Sequence, residues 1–145
     1  KIAINLGMEA DQVEAARVGG LLHDIGKIAL NEGSMEPHHS LLNNNMDIFQ
    51  MHTILGYGAL RKIDFPWPVA EIARHHHERI DGSGYPDQLA GDKISLLVQI
   101  VGVADALDSQ LYGRSKKAKK GLFGLEHAFN EIEKADKYNQ KISKI

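Results

Sequence analysis

His23-Asp24-Ile25-Gly26-Lys27 and His75-His76-His77-Glu78-Arg79-Ile80-Asp81-Gly82-Ser83-Gly84-Tyr85-Pro86 decide how this chain reads. The first stretch places an imidazole, a carboxylate and an ammonium within five residues. The second sets a histidine run just ahead of a glycine-rich turn. Imidazoles and carboxylates at several stations along one helical chain are what a site for two or more divalent metals requires. Such a site points to phosphoester hydrolysis.

Outward from these stretches the pattern is helical. No strand-like alternation and no internal repeat interrupts it, which predicts an all-α fold. Ile2 to Leu6 reads as the tail of a helix ended by Gly7, and Asp11-Gln12-Val13-Glu14 has capping-box spacing. Val18, Leu21, Leu22 and Ile25 then line one face as far as Gly26. Residues 31–45, with Gly33, Pro37 and three consecutive asparagines, read as a polar loop, a candidate lid. Ile48, His52, Leu55 and Ala59 keep helical spacing. Pro68 suits a first helical turn, after which Val69, Ile72, Ala73 and His76 share a face. Residues 81–91 are turn-rich, and a long helix over 94–111 carries Leu97, Val98, Val101 and Ala104 inward. Leu125, Phe129 and Ile132 mark a terminal amphipathic helix.

The bulk composition narrows the class. A chain of 145 residues forms one domain, and a domain of that size buries roughly two-thirds of its unfolded surface. Its 43% hydrophobic and 25% charged content is that of a soluble globular protein. A net charge of -2 argues against a general nucleic-acid binder. The one basic run, Lys116, Lys117, Lys119 and Lys120, reads as a solvated loop. The absence of cysteine excludes disulfides, thiolate ligands and cysteine nucleophiles, and fits a cytoplasmic location. No apolar run approaches the roughly 20 residues of a membrane span. The chain opens at Lys1-Ile2-Ala3 and reads as a fragment that starts partway through a helix.

On those helices the polar residues fall on apolar stripes. His23 follows Leu21 and Leu22, His52 lies four residues after Ile48, His76 four after Ile72, and Asp105 four after Val101. Four helices therefore aim imidazole or carboxylate groups at one interior. A buried unpaired charge costs several kcal/mol, and no comparable set of lysines or arginines faces these carboxylates. A metal cluster supplies the positive charge and satisfies the imidazole nitrogens together. A lone histidine on an apolar face is more often a hydrogen-bonded core residue, but this many on separate helices favours metal. Adjacent helical residues diverge by about 100°. His76 and His77 thus reach one cluster only if it lies between them or if each faces its own metal. His75 is expected to point away, at the surface beside Glu71 and Glu78. His38, His39 and His127 are expected to play no part.

Ligands of nitrogen and oxygen without sulfur suit Fe or Mn first, with Ni, Co or Zn as alternatives. Asp24 can bridge two metals, and a metal-bridging hydroxide is then the nucleophile. Lys27, one turn from His23, can neutralise charge on a phosphoryl oxygen or assist the leaving group. Read alone, Lys27 is equally a cation at a helix C-terminus.

The ordered series His23-Asp24, Lys27, His52, His76-His77 and Asp105 resembles the HD superfamily of metal-dependent phosphohydrolases. With Asp81-Gly82-Ser83-Gly84-Tyr85-Pro86 it resembles the HD-GYP domains, over about Val13 to Arg114. That resemblance implies an all-α helical bundle with a metal cluster in its core. It implies a single domain over 1–145 that lacks its first helix, and hydrolysis of cyclic di-GMP to linear pGpG, to GMP, or to both. By it, His23, Asp24, His52, His76, His77 and Asp105 are metal ligands and Lys27 is catalytic. Gly84 and Tyr85 contribute to substrate binding, and the Gly-Tyr-Pro loop is a possible contact for a GGDEF-domain protein. An upstream sensor or receiver domain is expected.

Two departures from the family pattern bear on substrate choice. Asn31 to Pro37 replaces the usual Pro-Asp and Lys-Pro-Gly stretch, and an Arg-Pro-Tyr motif is reduced to Arg114-Ser115-Lys116. Arg114 can still grip a phosphate. Two metals are the expected minimum, and a third would draw a Glu and a His from upstream of Lys1. The alternatives are an HD phosphohydrolase for another cyclic dinucleotide or a nucleotide, and a signalling module that docks a partner without hydrolysis.

Overall fold

Val69, Ile72, Ala73 and His76 are 1%, 0%, 0% and 0% exposed, so the apolar stripe read from this segment is the centre of the molecule. The computed structural model describes residues 1–30, 48–112, 122–134 and 136–143. Among them the helices are α1 (Ile2–Asn5), α2 (Ala10–Leu22), α3 (Met51–Leu60), α4 (Val69–His75), α5 (Leu96–Tyr112), α6 (Leu122–Lys134) and α7 (Gln140–Ser143). Short 3₁₀ segments cover Ile25–Ala29, Ile48–Gln50 and Gly91–Lys93. The expected all-α fold is what the described residues form, with one isolated bridge between Asp81 and Ala90. No helix among them is long and apolar enough to cross a membrane.

α4 is sandwiched. On one side Val69 and Ala73 pack with Leu60 of α3 and with Val18 and Leu22 of α2. On the other, Ile72 packs with Ile94, Val98 and Val101. Burying an isoleucine such as Ile72 completely is worth roughly 1.5–3 kcal/mol. The far side of α5, through Ile100 and Val103, meets Ala3, Ile132 and Ile142 from α1, α6 and α7.

Several expectations shift in detail. The capping box belongs to Glu9 and Gln12, while Asp11 accepts a hydrogen bond from the Trp67 indole at 2.9 Å. Pro68 is the N-cap of α4, one residue earlier than expected. Leu21 is 69% exposed, because the stripe facing α4 runs through Ala15, Val18, Gly19 and Leu22. Ala59 and Ala104 are exposed for the same reason, each lying off the buried face of its helix. Ile132 is buried as expected, Phe129 is on the rim, and the short α7 with its buried Ile142 was not foreseen. The 31–45 loop, the lysine run, His38, His39, Arg114 and the Leu125 side chain lie outside the described residues.

Gly26 does not end a helix. α2 stops at Leu22, and a Cβ on Gly26 would sit 2.0 Å from the His52 carbonyl oxygen. A Cβ on Gly102, inside α5, would sit 2.5 Å from the His76 carbonyl oxygen. In both places backbone meets backbone, which only glycine permits. These two contacts bring the His23-Asp24 segment onto α3, and α5 onto the end of α4. Gly102→Ala is therefore expected to destabilise the protein by about 1–3 kcal/mol, as overpacking does. Gly58→Ala in α3, where the new methyl meets nothing within 4 Å, is expected to be neutral or stabilising by about 0.4–1 kcal/mol. Urea unfolding of the two variants measures the contrast.

Candidate metal centre

The ends of two helices place the adjacent candidate pairs. His23 is the C-cap of α2, and Asp24 (φ −99, ψ 8) has left the helical basin. α4 ends at His75, so His76 and His77 lie on the turn beyond it. His76 keeps helical backbone (φ −61, ψ −15) and its N–H still donates to the Ile72 carbonyl, so the turn carries on the helical path; the two rings lie 4.1 Å apart and both offer a donor to one group. His52 comes from the first turn of α3, with its ring 5.3 Å from His76 and 5.1 Å from His77. The His23 ring is 4.8 Å from that of His76. Asp105 of α5 closes the cluster, its oxygens 3.7 Å from His23 Nε2 and 3.8 Å from His77 Nδ1.

Among the described residues, donor atoms within 4.8 Å of one another form two groups that could hold a metal. One is Asp24, His52, His76 and His77; the other is His23, Asp24 and Asp105. Asp24 belongs to both and divides its oxygens between them. Oδ1 lies 3.3 Å from His52 Nε2 and 3.7 Å from His76 Nε2. Oδ2 lies 3.3 Å from His23 Nε2 and also receives the Lys27 ammonium.

The imidazoles are turned the same way by local backbone. His23 Nδ1 lies 2.7 Å from the Gly20 carbonyl, His76 Nδ1 lies 2.9 Å from that of Ala73, and His52 Nδ1 contacts that of Phe49. Each carbonyl is three residues upstream. A ring that donates Nδ1–H there leaves Nε2 as its lone-pair nitrogen, aimed at the centre. The Nε2 atoms of His52 and His76 face each other only 3.3 Å apart. His23 Nε2 and Asp24 Oδ1 are buried and have no hydrogen-bond partner among the described residues. A divalent cation could satisfy these atoms together, and the nitrogen and oxygen donors suit it.

Electrostatics sorts the histidines. Burial opposes the His23 cation, but Asp105, Asp24 and the Gly20 carbonyl outweigh it and push the group up to about 10. Burial pushes Asp24 up, yet His23 and Lys27 hold it well below the usual carboxylate range. Asp105 is likewise lowered, burial being outweighed by His23 and His77. Burial, with neighbouring imidazoles added, drives His76 down to about 3. Burial also leads for His77, which falls to about 4 despite Asp105. His76 and His77 are thus neutral at pH 7, the form that ligates metal.

Around the cluster, Lys27 is 55% exposed and paired with Asp24 at its rim. Tyr85 lies against His77, ring centroids 4.7 Å apart. Gly84 is buried, and a Cβ there would lie 2.4 Å from Glu78 Cα, a packing role the sequence did not suggest. His75 does turn away from the cluster, but it is half-buried, between Glu71 at 3.3 Å and Asp87 at 2.8 Å. Glu78 is not its partner. That carboxylate is buried and accepts from the Asp87 and Leu89 amides, which sequence reasoning missed. His127 is exposed on α6, in neither ligand group. His23, Asp24 and Asp105 also line a cavity of about 580 Å³ between α1, α2 and α5.

Long-range ¹H–¹⁵N NMR of chelator-treated protein is expected to show His76 as a neutral Nδ1–H imidazole from pH 7 down to about pH 4. A protonated His76 at pH 6 would contradict the burial that sets its low value.

The chain has sequence relatives. An HD domain family model matches residues 1–142. The chain is 38% identical over 118 residues to the cyclic di-GMP phosphodiesterase response regulator RpfG of Xanthomonas campestris pv. campestris, which covers 80% of this chain and 31% of that protein. It is 38% identical over 135 residues to a cyclic di-GMP phosphodiesterase of Thermotoga maritima, covering 92% and 36%. It is 31% identical over 121 residues to 3'3'-cGAMP-specific phosphodiesterase 1 of Vibrio cholerae, covering 83% and 28%. The chain spans about a third of the length of these curated relatives. With nearly its whole length matched by the family model, the chain belongs to the HD domain family.

Proposed function

We propose that this domain is a metal-dependent phosphodiesterase that hydrolyses cyclic di-GMP to linear pGpG, to GMP, or to both. The observation that carries this is the sharing of Asp24 between two ligand groups, one oxygen turned to each. His52, His76, His77 and Asp24 would hold one ion, and His23, Asp24 and Asp105 the other. Fe or Mn fits these donors best, with Ni, Co or Zn as alternatives. When bound, the ions supply Lewis acidity and ionise water near neutral pH.

The chain's own residues do the rest. The imidazoles and two carboxylates would keep the metal charge at one point, so that a phosphodiester is drawn there. Lys27 stands at the exposed edge, and its ammonium can pass from Asp24 to a phosphoryl oxygen as charge builds in the transition state. Water oxygen bonds to phosphorus as the bond to the ester oxygen breaks, and that oxygen leaves with a proton. Tyr85, standing beside His77, is placed to contact the substrate, and Gly84 acts by letting that loop close on the turn. Arg114 is assigned a phosphate contact on its sequence position alone.

A second reading is hydrolysis of 3'3'-cGAMP, favoured by the relatives of that name in Vibrio cholerae. The single-domain boundary, a GGDEF-domain partner at the Gly-Tyr-Pro loop, an upstream sensor or receiver domain and a cytoplasmic setting complete the proposal. Cyclic dinucleotide names among the relatives support the substrate class.

The deciding experiment is anaerobic loading with Fe(II) or Mn(II), incubation with cyclic di-GMP and with 3'3'-cGAMP, and chromatography of the products. Linear dinucleotide or GMP that disappears on chelation supports the reading, and metal-loaded protein without product from either substrate rejects it. Asp24→Ala is expected to lose both ions by elemental analysis and all turnover with them. Lys27→Ala is expected to keep its metals and lose about 10²–10³ in kcat, the usual loss for one transition-state donor.

A further inference from the structure

Three of the clustered imidazoles are oriented by a carbonyl of the backbone just before them. Among the described residues no such bond holds His77. Asp105 Oδ2 lies 3.8 Å from its Nδ1, beyond hydrogen-bond reach, and the ring is faced by Tyr85, with planes 31° apart. Tyr85 belongs to the loop that leaves the His76–His77 turn, so the orientation of His77 depends on what seats that loop.

Glu78 seats it. The side chain follows His77 directly and is 5% exposed. Its Oε1 accepts the Asp87 amide at 2.7 Å and its Oε2 the Leu89 amide at 3.0 Å. Both oxygens of a buried carboxylate are thus committed to the loop, which is the pairing such a charge requires. From the other side the Arg79 guanidinium donates to the carbonyls of Glu78 at 2.8 Å and His76 at 3.2 Å. Gly84 crosses the turn so closely that its missing Cβ leaves the only room. The outer edge of the loop is also tied, by Asp87 to Arg74 at 2.7 and 2.8 Å. Asp87 is exposed, so solvent screens that ion pair and it does not replace the buried anchor.

We propose that Glu78 is a positioning residue, holding the Asp87 and Leu89 amides so that Tyr85 is seated against His77 and that imidazole is fixed for metal binding. The inference rests on the reading of His77 as a ligand. It needs no substrate.

The test uses the whole chain, stripped of metal and titrated with Co(II), followed by visible absorption and by ¹H–¹⁵N NMR of the histidine rings. In Glu78→Gln the side-chain NH₂ opposes a backbone N–H and one of the two bonds is lost. Co(II) binding at the Asp24, His52, His76 and His77 group is expected to weaken about 10- to 100-fold, the range for groups that orient ligands. The His77 resonances should shift while the His23 resonances do not. Tyr85→Leu leaves the Glu78 anchor intact and is expected to weaken the same step. The double variant should lose no more than the larger single loss, because both residues act through one contact. Unchanged Co(II) affinity in folded Glu78→Gln, or losses that add in the double variant, would overturn the proposal. If Glu78→Gln does not fold, Tyr85→Leu decides alone, and unchanged affinity there overturns it. Failure of the wild-type chain to hydrolyse a cyclic dinucleotide would reject the phosphodiesterase reading and leave this binding test standing.

Discussion

Asp24 turns one oxygen toward His52 and His76 and the other toward His23 and Lys27, and the arrangement of the helices answers to that carboxylate. A half-buried carboxylate surrounded by imidazole nitrogens is stable only if positive charge sits among them. Lys27 supplies some of it from the rim, and protonated His23 can supply more. Neither reaches the His52 and His76 Nε2 atoms, which lie 3.3 Å apart. Ion pairing alone therefore leaves part of the centre unsatisfied, and a divalent cation could complete it. On the proposed reading, the same charge would attract and polarise a phosphate.

Bringing such a centre together places a demand on the backbone. Imidazoles from three different segments meet with their rings about a ring-width apart, so the segments must approach more closely than side chains allow. Gly26 and Gly102 provide that approach at two joints, each against the carbonyl of a histidine in the cluster. Glycine within a helix such as α5 costs about 1 kcal/mol of helix propensity relative to alanine. The apolar packing of Ile72, Val98 and Val101 around α4 offsets it. Function and packing here share the same contacts, and the glycines mark where they do.

Orientation is settled by two mechanisms. His23, His52 and His76 take their tautomer from carbonyls three residues upstream, a short-range effect that survives shifts between helices. His77 depends on a loop that returns from residues farther along the chain. The first three rings move with their own segments. The fourth is tied to the Gly-Tyr-Pro loop, so anything that displaces that loop is felt at the centre.

That these residues gather at one centre was legible in the sequence because helical spacing constrains direction. His52 and His76 stand four residues from Ile48 and Ile72, and that spacing alone puts an imidazole on an apolar face. The all-α class and the central stripe of α4 were readable on the same ground. Three things were decided only by tertiary structure. That His76 and His77 both offer a donor to one group depends on which segments close around the end of α4, and nothing in a run of histidines marks that. The role of Gly26 and Gly102 depends on which backbone crosses them, whereas in sequence Gly26 reads only as the end of an apolar face. Glu78 looks like a surface acid until the loop folds back and presents two amides to it. Spacing along a chain encodes direction within one element, while the closing of one element on another depends on contacts that no single segment contains.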